Sequence, residues 1–282
     1  PGLLAPDGLL MRIDLRDYGW TNEQQWLSCL QQYPWGIKLD DPHADHIFAE
    51  TGCELSYVRA DWFVDAASRP PLYHNLVTLP NRAVGVPDEV GQFERQLELS
   101  IRENIEQGRV SRAGFSGPQS GISDHNRIVE RHASPFGYLW ASYDSAGDLG
   151  RQNFANFPLG PATLDATNVK AFVHAGGEFI ASLPNGLQVY MLATADGKRI
   201  DQGPQDIVRD PNQFSGSFDV VNAISCIGCH RHGLLRFTDT IRAQWIDQAD
   251  VAVAGRVLAL YPPQAELDAL VTADRRRFLD AL

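Results

Sequence analysis

The sequence predicts an α+β protein. Three observations carry that expectation. Apolar residues recur at helical spacing in segments near both ends, whereas the middle of the chain alternates with the period of two that marks strands. Pro184-Asn-Gly186 sits between two apolar runs, and Asn-Gly suits the positive φ of a two-residue hairpin turn. After about residue 210 the helical spacing returns, around Cys226-Ile-Gly-Cys-His230. The expected organisation is mixed helices and antiparallel strands over 1–210 and a helical region over 211–282. One core continuous across residue 210 is the alternative.

In chain order, Met11-Arg-Ile-Asp-Leu15 alternates like a short strand. Thr21, with Gln24 three residues on, reads as the N-cap of a helix through Leu30, and Pro34 stops it. Asp40-Asp-Pro-His-Ala-Asp-His46 reads as a solvated loop. A second helix is expected over 55–67. Gly85 to Asp88 is a turn, 89–106 a third helix, and Gly108 its end. Ser111 to Asp124 is rich in Gly and Ser and reads as a loop. Strands are expected over 127–131, 138–143, 171–173 and 178–194, with the hairpin inside the last and a further turn at Asp196-Gly197. Residues 240–261 and 264–282 are amphipathic helices split by Pro262-Pro263.

The 282 residues are 44% hydrophobic and carry a net charge of −11. Phosphate binding wants a basic surface, so this balance argues against nucleic acid and against anionic lipid. No apolar run approaches the roughly 18 residues that a membrane span needs. The start, Pro1-Gly-Leu-Leu4, has neither a basic stretch nor a cleavage site, and there is no initiator Met. The chain therefore reads as a mature or excised piece, which leaves export open.

Cys226-Ile-Gly-Cys-His230 is the spacing of c-type haem attachment. Two thiols add to the two vinyl groups of one porphyrin, and the adjacent imidazole reaches the iron from the same side. Gly228 would let the backbone lie close to the ring. The 211–282 region is accordingly expected to be cytochrome c-like, with one covalent haem c on Cys226 and Cys229 and His230 as proximal ligand. A redox dithiol is the competing reading, but no βαβ unit surrounds residue 226. A zinc site using His232 would lack a fourth ligand.

The other iron face decides the chemistry. His232 is too near His230 to cross the ring, and neither Met nor a further His follows in the chain. The second ligand comes from upstream or is missing. His74 follows the stiff Pro70-Pro71 pair and is the first candidate, with His174 and His125 as alternatives. Met11 and Met191 sit in strand-like runs and read as core. His43 and His46 could hold a surface metal with Asp45. Arg231 and Arg236 could pair with haem propionates. Arg127, His125 and His132 could serve peroxide chemistry at an open iron. Cys29 and Cys53 form a disulfide in an oxidising compartment, or stand as two buried thiols.

Several stretches point beyond the motif. They are Arg12-Ile-Asp-Leu-Arg-Asp-Tyr-Gly-Trp20, Arg59-Ala-Asp-Trp-Phe63, Ser68-Arg-Pro-Pro-Leu-Tyr-His74, His125-Asn-Arg127 with Glu130-Arg-His132, Gly176-Gly-Glu178, Leu183-Pro-Asn-Gly-Leu-Gln188 and Ser225-Cys-Ile-Gly-Cys-His230. With these the chain resembles a family of large exported proteins of planctomycetes and proteobacteria that contain a cytochrome c domain and have no established activity. The resemblance implies haem, a periplasmic or extracellular location and further sequence on both sides of this span. It implies no reaction and no distal ligand.

Three functions follow as expectations. The first is an exported monohaem cytochrome that passes single electrons to a redox partner protein. The second is a haem enzyme with an open distal site, peroxidase-like. The third is a haem-based sensor or binding module of a longer protein.

Overall fold

A computed structural model describes residues 3–4, 11–12, 20, 23–34, 42–51, 58–85 and 91–282. The chain divides into two compact units, Pro1–Thr78 and Leu79–Leu282. Residue 210 falls inside the second.

In the first unit, strands β1 (Leu3–Leu4) and β2 (Met11–Arg12) pair antiparallel. The helices are α1 (Glu23–Gln32), α2 (Pro42–Thr51), α3 (Ala60–Ala67) and α4 (Leu72–Leu76). The expected strand residues 13–15, the Thr21 cap and the start of the 55–67 helix lie outside the described residues. The Asp40–His46 loop is corrected: α2 begins there, with Pro42 at its start and Asp45 in its first turn, both favourable positions. His43 and His46 are exposed on it. Cys29 is fully buried in α1, and burial pushes its thiol up to about 11. Cys53 lies outside the described residues, and with it the expected pairing. His74 is buried in α4, its ring edge-on to Tyr73.

The second unit is built on a six-stranded antiparallel sheet in chain order: β3 (Val110–Phe115), β4 (Arg127–Ser134), β5 (Gly137–Asp144), β6 (Gly176–Ser182), β7 (Gln188–Thr194) and β8 (Arg199–Ile200). β3 replaces part of the expected Ser111–Asp124 loop. Its polar Arg112 is fully buried because Glu130 and two carbonyls satisfy it. Ile241 packs into the space that Gly114 leaves: a Cβ would lie 2.1 Å from Ile241 Cδ1, so that side chain would have to shift. The β6–β7 hairpin forms as expected but with a different turn. Gly186 N–H donates to the Leu183 carbonyl at 2.9 Å, and only Gly186 has positive φ (+86°), so the loop runs from Pro184 to Gly186. Residues 171–173 contribute a single bridge at Ala171 rather than a strand.

The helix expected over 89–106 is two helices, α5 (Gln92–Gln96) and α6 (Ile101–Glu106). The buried Glu94 carboxylate accepts from Gly91 N–H (2.7 Å) and Ile101 N–H (2.7 Å), and Glu98 takes positive φ at the corner. A short α7 (Gly117–Ser120) precedes β4. Beyond the sheet come α8 (Ile224–Cys229), α9 (Arg242–Trp245), α10 (Val251–Leu260) and α11 (Gln264–Ala281).

Strand parity assigns the two faces. Glu130, His132 and Tyr143 share one face, where Arg112 donates to Glu130 Oε2 at 2.5 Å. His132 Nε2 and Tyr143 Oη meet Glu130 Oε1, both at 2.8 Å. The other face presents Tyr138, Trp140, Ile180, Tyr190 and Leu192. These pack with Val208, Val220, Cys226, Leu234 and Val271 into one core that draws on residues from both sides of 210. α11 is anchored to this face through Asp274, which accepts from Arg131 Nε (2.7 Å), Arg131 Nη2 (2.9 Å) and Trp140 Nε1 (2.8 Å).

Candidate functional site

Residues at i, i+3 and i+4 share one face of a helix. Cys226, Cys229 and His230 have that spacing, and α8 is the helix that uses it. The turn closes with His230 N–H on the Cys226 carbonyl at 2.7 Å. Its start is strained. Ala223 has φ +68° and ψ −67°, and Ile224 N–H reaches back to the Asn222 carbonyl at 3.1 Å. Such a three-residue turn costs about 1–3 kcal/mol at a non-glycine residue. The surroundings hold it: Asn222 is fully buried, and its Oδ1 accepts from Leu192 N–H of β7 at 3.2 Å. Ser225 Oγ accepts from Val221 N–H at 3.1 Å. Gly228 points away from the cysteine face. A Cβ there would meet the Phe214 ring at 2.3 Å, so Phe214 is the group whose approach demands glycine.

All three motif residues line one cleft between α8, the sheet and the 200–210 and 234–237 segments. Its walls are largely apolar, among them Ile122, Val129, Trp140, Ile180, Leu192 and Phe237. The enclosed room is about 160 Å3, the scale of a cavity that holds one aromatic ring.

His230 is oriented inside this cleft. Its Nδ1 lies 3.4 Å from the Gly233 carbonyl, and its Nε2 faces Glu178 Oε2 at 3.8 Å. Tyr190 stacks along the ring at 6.1 Å between centroids. Burial pushes the Glu178 carboxyl up, but the facing His230 imidazole and then the Cys226 thiol outweigh it and hold the group below its usual range. The thiols move the opposite way. Burial, followed by Glu178, raises Cys226 well above the ordinary thiol and takes Cys229 up to about 11. A redox dithiol or a free nucleophile needs a lowered thiol pKa. This pair is instead held as neutral thiols beside an imidazole.

The cleft also holds polar residues from the sheet. Arg127 Nε donates to Asp144 Oδ1 at 2.5 Å, and both residues are buried cleft walls. Burial works against the guanidinium charge, but Asp144, with Glu178 and Cys229 as further contributors, outweighs it. Burial likewise raises Asp144, against the pull of Arg127.

Of the residues singled out from sequence, Cys226, Cys229, His230 and Arg127 are brought together, and exposed Arg236 joins them on the cleft. Arg231 is exposed and is not among the lining residues. His125 sits outside the cleft, 3.4 Å from Asp148. His132 is fully buried on the opposite face of the sheet, held by Glu130 and Asn104. His174 lines a different cavity with Tyr143, Thr163 and Phe179, and burial lowers its imidazole to about 4. Met191 is fully buried on the strand face opposite Leu192. His74 belongs to the first unit. Glu178, Asp144 and Phe214 were missed by sequence reasoning. A signal existed for the first two: each carboxylate stands at a parity position shared with buried apolar residues of its own strand.

Among the described residues no group of three or more His, Cys, Asp or Glu is arranged around a metal ion, and no helix is long and apolar enough to cross a membrane. Comparison with known protein families, with functionally described proteins and with solved structures finds no match to this chain.

Proposed function

We propose that this chain is an exported monohaem c-type protein whose iron keeps one face for small exchangeable ligands. One observation carries the reading: the two thiols and the imidazole that haem attachment requires lie on one helix face and line one largely apolar cleft. Cys226 and Cys229 would hold the vinyl edge and His230 Nε2 the iron, with Nδ1 oriented by the Gly233 carbonyl, the usual arrangement for a ligating imidazole. The apolar walls exclude water, and Arg236 is the wall residue suited to a propionate. Bound haem supplies a one-electron couple and a Lewis-acidic iron.

The choice among carrier, enzyme and sensor turns on the second axial ligand. Within residues 79–282 neither another histidine nor a methionine lines the cleft. That favours a ligand-binding haem, enzymatic or sensory, over a carrier with two strong protein ligands. Electrons for either role would come singly from a redox partner protein. Haem c attachment and the resemblance to exported cytochrome c domain-containing proteins together support a periplasmic or extracellular location and a place within a longer chain.

The test is to produce the chain alongside haem-attachment machinery. The expected product is red, heavier by one haem, and colourless when Cys226 and Cys229 are both replaced by Ala. The ferric form should be high-spin and the ferrous form should bind carbon monoxide. A colourless, unmodified wild-type product overturns haem binding. A low-spin spectrum indifferent to carbon monoxide overturns the exchangeable face and returns the carrier reading.

A further inference from the structure

The chain carries 35 acidic against 24 basic residues, yet positive charge gathers on one stretch of its surface. Between Cys226 and Phe237 stand His230, Arg231, His232 and Arg236, and no Asp or Glu. Residues 230–233 close a tight turn, with Gly233 N–H on the His230 carbonyl at 2.7 Å. That turn lies on α11 beside the run Arg275-Arg-Arg277: a Cβ on Gly233 would be 3.1 Å from Arg275 Cγ and 3.3 Å from Arg275 Cα. Arg231, Arg236 and Arg276 are exposed, and Arg275 is half-buried.

The neighbouring carboxylates of α11 do not neutralise this patch. Asp274 is buried and accepts from Arg131 and Trp140, and Asp280 stands 3.6 Å from Arg276. Among the described residues no carboxylate forms an ion pair with Arg231, Arg236 or Arg275. The patch borders the cleft of the cysteine motif, which Leu235 and Arg236 both line. Two aliphatic side chains are open to solvent on this stretch, Leu235 at 52% and Ile227 of α8 at 40%. Arginines set around exposed apolar groups suit a protein surface. A polyphosphate would instead be repelled by the net charge of −11 on the chain as a whole.

We propose that this patch docks a partner protein through a carboxylate-rich surface, beside the cleft. Opposite charges steer the encounter and fix its orientation. Docking itself needs no haem. The part assigned to the partner, delivery of single electrons, rests on the haem reading above.

The probe is fluorescently labelled poly-L-glutamate, followed by anisotropy with the purified chain. Binding should be saturable at about 20 mM salt and about 10-fold weaker at about 200 mM, where exposed charges are screened. The pair R231E/R275E, which leaves the cleft residue Arg236 in place, should raise the Kd at least about 5-fold. Lys198→Glu with Arg256→Glu makes the same change in net charge at exposed positions on other elements and should leave the Kd within about 2-fold at moderate salt. If melting shows that charge reversal unfolds the chain, R231Q/R275Q is the milder pair and should weaken binding in the same direction. Absence of saturable binding at low salt overturns the proposal, and so does an equal loss in both charge-reversed pairs. Tighter binding of a single-stranded DNA oligonucleotide, lost in R231E/R275E, overturns the protein partner in favour of nucleic acid. A chain that binds poly-L-glutamate at the patch but shows no Soret band fails the haem reading and supports docking, a distinct outcome.

Discussion

Replacing Glu130 with Gln removes the anionic partner of a fully buried arginine. In the native protein Arg112 donates from Nε to Glu130 at 2.5 Å, from Nη1 to the Pro158 carbonyl at 3.2 Å and from Nη2 to the Gly160 carbonyl at 2.5 Å. Neither side chain is exposed at all. The Glu130→Gln variant keeps the shape and the carbonyl contacts but leaves the guanidinium charge without its counter-ion. Breaking a buried pair from one side costs about 3–5 kcal/mol. The carboxylate provides an independent figure. Burial favours its neutral form, but Arg112 and then His132 outweigh burial and draw its pKa from 4.5 to about 2. At about 1.4 kcal/mol for each pKa unit, that difference corresponds to roughly 3 kcal/mol.

The sign of the pH effect follows. Glu130 is more acidic folded than unfolded, so its contribution is complete above about pH 4.5 and is lost as pH falls toward 2. The assay is thermal melting of wild type and Glu130→Gln by circular dichroism, at pH 7 and in steps to pH 3. At neutral pH the variant should melt roughly 6–20 °C lower, taking about 2–4 °C per kcal/mol for a unit of this size. Below pH 4.5 the two curves should converge, since the wild type is losing what the variant already lacks. A variant within about 1 kcal/mol of wild type at pH 7, or one with an unchanged acid slope, would refute the reasoning.

Two further outcomes follow from the same packing. Gly228→Ala should destabilise by about 1–3 kcal/mol by driving a Cβ into the Phe214 ring, and Phe214→Leu in the same chain should recover much of the loss; chemical denaturation reads both, and unchanged stability of the single variant would refute the clash. His174 is held neutral by burial, with its pKa lowered from 6.5 to about 4, so between those values the unfolded chain takes up a proton that the folded one refuses and stability falls as pH drops. His174→Phe should flatten the melting curve over that pH window, and an unchanged slope would count against a buried neutral imidazole.

What the sequence disclosed depended on whether a residue's role was local. The Cys-x-x-Cys-His spacing states a helix face by itself, and α8 uses it. Asp196-Gly197 and the 184–186 turn likewise follow from residues a few positions apart. The errors share the opposite property. The Gly and Ser of 111–124 make β3 look like loop, and nothing near Arg112 in sequence announces that Glu130 and the carbonyls of Pro158 and Gly160 will satisfy it in a strand. The 89–106 segment has continuous helical spacing, and it breaks because the Glu94 side chain, which accepts from Gly91 N–H at the start of α5, also accepts from Ile101 N–H across the corner. Gly228, expected to let the backbone lie close to a porphyrin ring, instead meets Phe214, which comes from 14 residues upstream.

The same distinction explains why the candidate site was only half visible. The motif helix is a contiguous string, whereas its opposing wall consists of single side chains from separate strands. Arg127 of β4, Asp144 of β5 and Glu178 of β6 converge only because antiparallel pairing sets Arg127 opposite Asp144, and Asp144 opposite Gly176, two positions from Glu178. Each sits at a buried parity position where an apolar residue would be more stable, since charged groups lose hydration there. Strand positions of this kind are ordinarily filled by residues like Val129, Trp140 and Ile180, which are their neighbours on the same face. Three charges at such positions, one of them with a donor still unpaired, are costly to the fold as it stands. That cost is offset if the cleft binds something those charges recognise.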